Sequence, residues 1–320
     1  MKSAPVKRRL IIFSILATFT LLLACGSFQQ EATGQISAVN SSDLSSLNSS
    51  QIQKISAKSM TLGKYLIEVQ SSQLKQGLLR QDGGGSDTPF TADSLAHNFE
   101  QIVFFNEYNT NSHNPDLPGK LRRWQAPVRV GIEFGASVST KQRNHDRNNV
   151  IKYAKRLSQI TGHQISVNNK PNFLVFFVNE DERSTTVEKI ATELLNVTTT
   201  DLIAISKLPE DAYCAVATYA SSSQPNVYTS AVAVIRAENP SLLRLSCIHE
   251  EIAQALGLAN DSPQARPSIF NDDDEFALLT NHDEILLKML YDQRLQSGMS
   301  LSEAKSIIRA LANEATQEPS

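Results

Sequence analysis

Hydrophobic positions along the chain alternate between the spacing of helices and the two-residue period of strands. Residues 128–134 alternate like a half-buried strand, and residues 173–178 form a strongly apolar strand. Further short strands are predicted at 165–167, 215–219 and 227–235. Helical spacing predicts one or two helices within 51–81 and further helices near 95–103, 148–161, 187–195, 242–258, 283–291 and 302–315. This order predicts an α+β fold with a mixed sheet and a helix-rich end.

The same pattern divides the chain into five parts. Residues 1–24 are predicted to be a signal peptide and residues 25–50, rich in Ser, Gln and Asn, a flexible tether. Residues 51–119 are predicted to be a helical N-terminal region with a linker. Residues 120–300 form the mixed-sheet domain in this interpretation, and residues 301–320 a C-terminal helix and tail.

Charge separates the first 24 residues from the rest. They contain four cations and no acid, within a chain of 30 basic and 33 acidic residues that has a net charge of −3. Without those four cations the remainder has a net charge of −7. The lack of a basic excess argues against nucleic acid as a partner, and the mean hydropathy of −0.24 excludes a multi-span membrane protein.

The basic start is followed by an apolar run, residues 10–23, which is too short for a comfortable membrane span. The run ends in Leu22-Leu23-Ala24-Cys25, which resembles the lipobox of bacterial lipoproteins. The resemblance implies cleavage before Cys25 and lipidation of its thiol, so that the membrane is a partner through Cys25. Ser27, and not Asp, follows Gly26, which favours the periplasmic face of the outer membrane. The alternative is an ordinary secretory signal or a weak span with a chance Cys.

Export changes the interpretation of the other two cysteines. With Cys25 lipidated, Cys214 and Cys247 remain as an even pair in an oxidising compartment, which favours a disulfide. Two buried free thiols are the alternative.

The most informative stretch is the predicted helix at residues 247–261. His249-Glu250 begins like a zinc-peptidase helix, but the position four residues after His249 is Ala253, which cannot bind a metal. Shifting the register by one residue places Glu250 and Gln254 one turn apart, at about 40° from each other on one face. His249 lies about 140° from Gln254 in the same projection.

In this second register the stretch resembles the long motif of metzincins. Glu250, Gln254 and Asn260 stand where the family has three histidines, Glu251 stands at the general-base position, and Gly257 permits the tight turn. Residues 268–271 resemble the turn beneath the metal, with Phe replacing the family's Met, and residues 279–292 resemble the closing helix of matrixins. The resemblance implies a zincin-like fold with an active-site-type helix.

The replaced ligands change the chemistry that the resemblance implies. Glu250, Gln254 and Asn260, or Asp261 in place of Asn260, offer oxygen atoms, which suit zinc poorly and Ca²⁺ or Mn²⁺ somewhat better. A divalent metal is therefore one alternative. The other is that Glu250 and Gln254 are polar residues on the outer face of an ordinary amphipathic helix.

More closely, the chain is similar to the domain-of-unknown-function family 2927, a family of proteobacterial lipoproteins. The residues that support this are 123–130, 247–258 and 268–273, and the similarity extends over about residues 90–300. The family has no assigned activity, so the resemblance implies only that the Glu…Gln pattern is a family feature.

Two other groups of polar residues in the sequence are candidate sites. The acidic run at residues 271–275 is a Ca²⁺ candidate together with Asp261, but it lacks the spacing of an EF-hand and is predicted to be a solvated loop. Surface or capping roles are predicted for the scattered histidines His97, His113, His145, His163 and His282.

Three functional hypotheses follow. The first is an envelope lipoprotein whose zincin-like domain has lost its zinc ligands and binds an envelope protein or peptide. The second is an atypical metallopeptidase with Glu250, Gln254 and Asn260 as ligands and Glu251 as catalytic base. The third is a structural envelope lipoprotein that is unrelated to proteases.

Overall fold

A computed structural model of the chain describes residues 12–16, 55–105, 117–195, 197–209, 211–271 and 273–317. Its centre is one mixed sheet in the order β1-β6-β7-β5-β3-β4, with β2 paired to β7. Only β6 and β7 pair antiparallel, and the other pairs are parallel. The strands are β1 (Ile12–Leu16), β2 (Arg123–Trp124), β3 (Val128–Phe134), β4 (Ile165–Val167), β5 (Phe173–Val178), β6 (Cys214–Ala220) and β7 (Val227–Arg236). The predicted mixed sheet is confirmed.

The helices agree with the hydrophobic periodicity, with two differences. They are α1 (Ala57–Lys75), α2 (Ala92–Phe104), α3 (Thr140–Thr161), α4 (Arg183–Leu195), α5 (Thr199–Ser206), α6 (Ser241–Leu256), α7 (Asn281–Leu290) and α8 (Leu301–Gln317). The start of α3 lies eight residues before its predicted start, because residues 140–147 are all polar and show no apolar period. The short helix α5 was not predicted.

The sheet separates two hydrophobic clusters. Alternate residues of β5 contribute to each, with Val175 in the larger cluster and Phe176 in the smaller one. The larger cluster also contains residues of α2, α3, α6, α7 and α8, whereas the smaller one contains residues of α4 and α5. Since β5 is covered on both faces, its uninterrupted apolar sequence is what a central strand requires.

The predicted disulfide is confirmed. Cys214 on β6 and Cys247 on α6 are joined, with their Cα atoms 5.9 Å apart. The bond ties the antiparallel strand of the sheet to the helix that contains Glu250 and Gln254.

Several sequence predictions lie outside the described residues. These are Cys25, the tether at residues 25–50, most of the predicted signal peptide and His113. The described part of that signal peptide is β1, which pairs in parallel with β6. None of the helices in the described ranges is long and apolar enough to cross a bilayer.

Candidate functional site

The helix α6 crosses the interior of the molecule and is buried on all sides in its second half. Every residue from 246 to 256 is buried, and the exposed fractions are 1% for Glu250, 0% for Glu251 and 2% for Gln254. The interpretation of Glu250 and Gln254 as residues of a solvated outer face is therefore wrong. Charged side chains are rarely buried to this extent without a specific role in packing or function.

Gly257 ends α6 in a conformation that favours glycine. Its φ is +125°, and a Cβ atom at this position would lie 2.7 Å from the carbonyl oxygen of Arg122 and 2.9 Å from Cδ2 of Leu290. The tight turn expected from the sequence is thus present, and both the backbone angle and the close approach of Arg122 require glycine there.

Beyond the turn, Asn260 is bound to α2. Its backbone N–H donates to the carbonyl oxygen of Ile102 over 3.1 Å, and its side-chain Nδ2 donates to the carbonyl oxygen of Gln101 over 3.1 Å. The motif would place a third metal ligand at Asn260. Its side-chain amide instead helps to hold α2 against the turn that follows α6.

The side chain of Gln254 has a different environment. Among the described residues, neither its amide oxygen nor its amide nitrogen has a hydrogen-bond partner, although the side chain is buried one turn after Glu250. No group of three or more His, Cys, Asp and Glu side chains in the described part of the chain is arranged to hold a metal ion. The local donors are carboxylate and amide oxygens without histidine or cysteine, a set that suits zinc poorly.

The side chain of His249 packs in the interior of the protein. Its Nδ1 accepts a hydrogen bond from the backbone N–H of Leu279 over 3.1 Å, and its ring stacks on Tyr153 at a centroid distance of 4.0 Å. Burial, followed by the positive charge of Arg156, lowers the pKa of His249 to about 3. The imidazole is thus neutral at physiological pH, and it belongs to the interior between α3 and α7.

The turn at residues 268–271 is fixed by Asp283, which the sequence interpretation missed. The Asp283 carboxylate accepts hydrogen bonds from Ser268 Oγ over 2.6 Å and from the backbone N–H groups of Ile269 and Thr280, each over 3.0 Å. The Thr280 side chain in turn accepts from the Asp283 N–H, which completes a capping box at the start of α7. The spacing Thr280-x-x-Asp283 was a signal for this cap.

Two predictions of solvated polar groups are corrected. His282 is buried, with Nε2 3.1 Å from Asn98 Nδ2, because it begins α7 beneath α2. In the acidic run, Asp274 is buried and accepts from Gln73 Nε2 over 2.8 Å, while Glu275 pairs with Arg80 and Arg266. The acidic run therefore binds the C-terminal end of α1 and the residues after it to the domain.

The fold and the site define a mixed α/β domain with a central helix that contains two buried carboxylates and a buried amide. The chain belongs to the family described as "Protein of unknown function (DUF2927)", which matches residues 92–310. The match begins at the first residue of α2 and ends within α8, so α1 lies outside it. Neither the curated proteins nor the solved structures contain a match to this chain.

Proposed function

We propose that this protein is an exported, lipid-anchored envelope protein whose zincin-like domain is a binding or assembly module for an envelope protein or peptide, without peptidase activity. The burial of α6 is the observation that carries the proposal. A peptidase must bring its general base within reach of a substrate, yet Glu251 is fully buried.

The order of elements supports the zincin-like part of the proposal. A mixed sheet leads into α6, α6 ends at a glycine turn, and the turn at residues 268–271 follows before α7 closes the domain. This is the arrangement implied by the metzincin resemblance. Because Glu and Gln replace two of the histidines, the domain would keep the zincin-like architecture but lack the zinc ligands.

The disulfide supports the export part of the proposal. A bond between Cys214 and Cys247 persists in an oxidising compartment and is rare in the cytosol. The basic and apolar start of the chain and the lipobox-like ending at Cys25 agree with this. Cleavage before Cys25 removes β1 and leaves β6 as the edge strand of the mature sheet.

One observation favours a second candidate function, an atypical metallopeptidase. The amide of Gln254 has no hydrogen-bond partner among the described residues and lies one turn from Glu250, which supports a role for its oxygen as a ligand of a divalent cation. Asn260 or Asp261 would complete such a set, and Glu251 would act as the base. The bonds of Asn260 to α2 argue against it.

Metal analysis of the natively exported protein, combined with a peptide-cleavage assay, separates these functions. We expect no stoichiometric divalent metal and no cleavage, for the wild type as for Glu251→Gln. Stoichiometric metal together with cleavage that Glu251→Gln abolishes would establish the peptidase instead.

The anchor is tested separately by growth with labelled palmitate. We expect label on the wild-type protein and none on Cys25→Ser, whereas Cys247→Ser is the matched control that retains the lipid. Equal labelling of wild type and Cys25→Ser would refute lipidation at Cys25.

A further inference from the structure

Exposed hydrophobic side chains are concentrated on and just before α1. The described residues include nine large hydrophobic side chains that are strongly exposed, and five of these fall between residues 55 and 74. The five are Ile55, Met60, Tyr65, Ile67 and Leu74. The other four are Leu117, Ile151, Leu194 and Ile203, which are distant from one another in sequence and are ordinary for a protein surface. Such a concentration on one helix is typical of surfaces that bind a partner or a membrane.

Three of these side chains form a line along the helix. Met60, Ile67 and Leu74 are exposed by 54%, 55% and 46% and follow one another at intervals of seven residues. Seven residues rotate the position by only about 20°, so the three side chains lie on one face of α1 over a length of about 21 Å. This row of side chains is called the α1 stripe below.

The remainder of α1 prevents the stripe from turning inward. Leu66 and Gln73 are buried on a face about 100° around the helix from the stripe, and Gln73 Nε2 donates to Asp274 over 2.8 Å. Near the start of the helix, Ser59 Oγ donates to Glu238 over 2.6 Å. Because both ends are bonded to the domain, rotation of α1 to bury the stripe would break these contacts.

The charge of α1 favours an anionic surface as the occupant. Of the three lysines of α1, Lys58 pairs with Glu180 over 3.3 Å, which leaves Lys64 and Lys75 against the single acid of the helix, Glu68, although the whole chain has a net charge of −3. Lys64 lies about 40° from Met60 around the helix axis, directly beside the stripe. Cations that flank an apolar strip are typical of helices that lie at the surface of an anionic bilayer.

The position of α1 places this surface close to the proposed anchor. Ala57 follows Cys25 by 32 residues, and a tether of that length, if flexible as the sequence predicts, has a mean end-to-end distance of about 30 Å. We propose that the α1 stripe lies in the headgroup region of the anionic phospholipid bilayer in which the Cys25 lipid is inserted. This inference rests on the proposed lipid anchor.

The anchor and the stripe have different tasks in this arrangement. Three side chains bury too little apolar surface to retain the protein on a membrane alone, whereas the acyl chains hold α1 at a high local concentration next to the bilayer. The stripe then orients the domain, so that the family domain of residues 92–310 presents a constant face to its partner.

A fluorescence experiment on the full lipidated protein tests the orientation. Ile67→Cys and, as matched control, Ile151→Cys on α3 are labelled with an environment-sensitive dye and reconstituted into vesicles of phosphatidylethanolamine and phosphatidylglycerol. The two positions are similarly exposed, at 55% and 44%. We expect a blue-shifted emission at position 67, at least twofold quenched by doxyl-labelled lipid, and neither effect at position 151.

Each other outcome overturns the inference in a different way. Equal emission and quenching at the two positions would show that the stripe does not face the bilayer. A blue shift at position 67 without quenching by doxyl lipid would show that a second copy of the chain covers the stripe. Protein that remains in the supernatant after vesicle flotation would refute the lipid anchor, and the proposed function would then fail first.

Discussion

Tyr153 lies almost parallel to His249, at an interplanar angle of 11°, and donates its hydroxyl hydrogen to the backbone carbonyl of that same residue over 2.8 Å. The contact joins α3 to α6 at the residue before Glu250. It also excludes water from the imidazole, which is the main reason why the pKa of His249 is lowered to about 3.

This burial predicts a loss of stability on acidification. Since the folded pKa of His249 is about 3 and the ordinary value is 6.5, the unfolded chain binds a proton that the folded chain excludes between these pH values. The free energy of unfolding therefore falls as pH decreases below 6.5, by up to about 1.4 kcal/mol per pH unit. We expect urea denaturation to show a decrease of about 2 kcal/mol in the free energy of unfolding from pH 7 to pH 5.

His249→Gln is the control, because an amide at this position does not titrate. We expect its stability to change much less between pH 7 and pH 5, with a residual slope from His163, whose pKa is also lowered by burial. Glu180, with a pKa of about 2 that Arg236 and Arg183 maintain against burial, acts only below its ordinary value of 4.5. An equal slope in wild type and His249→Gln would contradict the prediction.

Because of the disulfide, we expect the melting temperature of the protein to depend on redox conditions. The bond joins residues 33 positions apart, and closing a loop of that size stabilises the folded chain by about 4 kcal/mol in the chain-entropy model. We expect the double variant Cys214→Ala/Cys247→Ala to melt at a lower temperature than wild type under oxidising conditions. With a reductant that opens the bond, the two proteins should melt together, and a difference that persists would assign the effect to packing.

We expect Asp283 to stabilise both the turn at residues 268–271 and the start of α7. Asp283→Ala leaves the buried donors of Ser268, Ile269 and Thr280 without their acceptor, and such orphaned donors destabilise by about 1–3 kcal/mol each. We expect a loss of at least about 3 kcal/mol in urea denaturation. Ser268→Ala retains the two backbone donors to Asp283 but removes the acceptor of the buried Phe270 N–H, so it should lose about 2 kcal/mol, less than Asp283→Ala, and equal losses in the two variants would refute this assignment.

The sequence predicted the sheet and most helices because hydrophobic periodicity records burial directly. The prediction was wrong where helical residues are polar and therefore show no hydrophobic period. The start of α3 at residues 140–147 has no apolar period, and its first turn is instead stabilised by Ser139, whose side chain accepts from the N–H of Gln142. The length of a polar helical start depends on such caps and on tertiary contacts, which a periodic pattern does not contain.

The candidate site was predicted in part for the same reason. Helix spacing placed Glu250 and Gln254 on one face, whereas the glycine turn at position 257 was implied by the resemblance to the metzincin motif. Spacing could not indicate that the polar face is buried, because burial depends on tertiary contacts between distant parts of the chain, such as the bond between Asn260 and Gln101, more than 150 residues apart in sequence. The role of Asp283 likewise depends on a turn 14 and 15 residues earlier.

Gln254→Met distinguishes a packing role of this side chain from a ligand role. A buried amide without hydrogen-bond partners among the described residues destabilises the fold by about 1–3 kcal/mol, and methionine has nearly the same length without the polar atoms. Under the proposed function, the variant should therefore be about 1 kcal/mol more stable in urea denaturation. Asn260→Ala, which removes the bond to Gln101, should be less stable than wild type. If Gln254→Met instead loses stability and bound divalent metal together, Gln254 is a ligand and the metallopeptidase hypothesis is favoured.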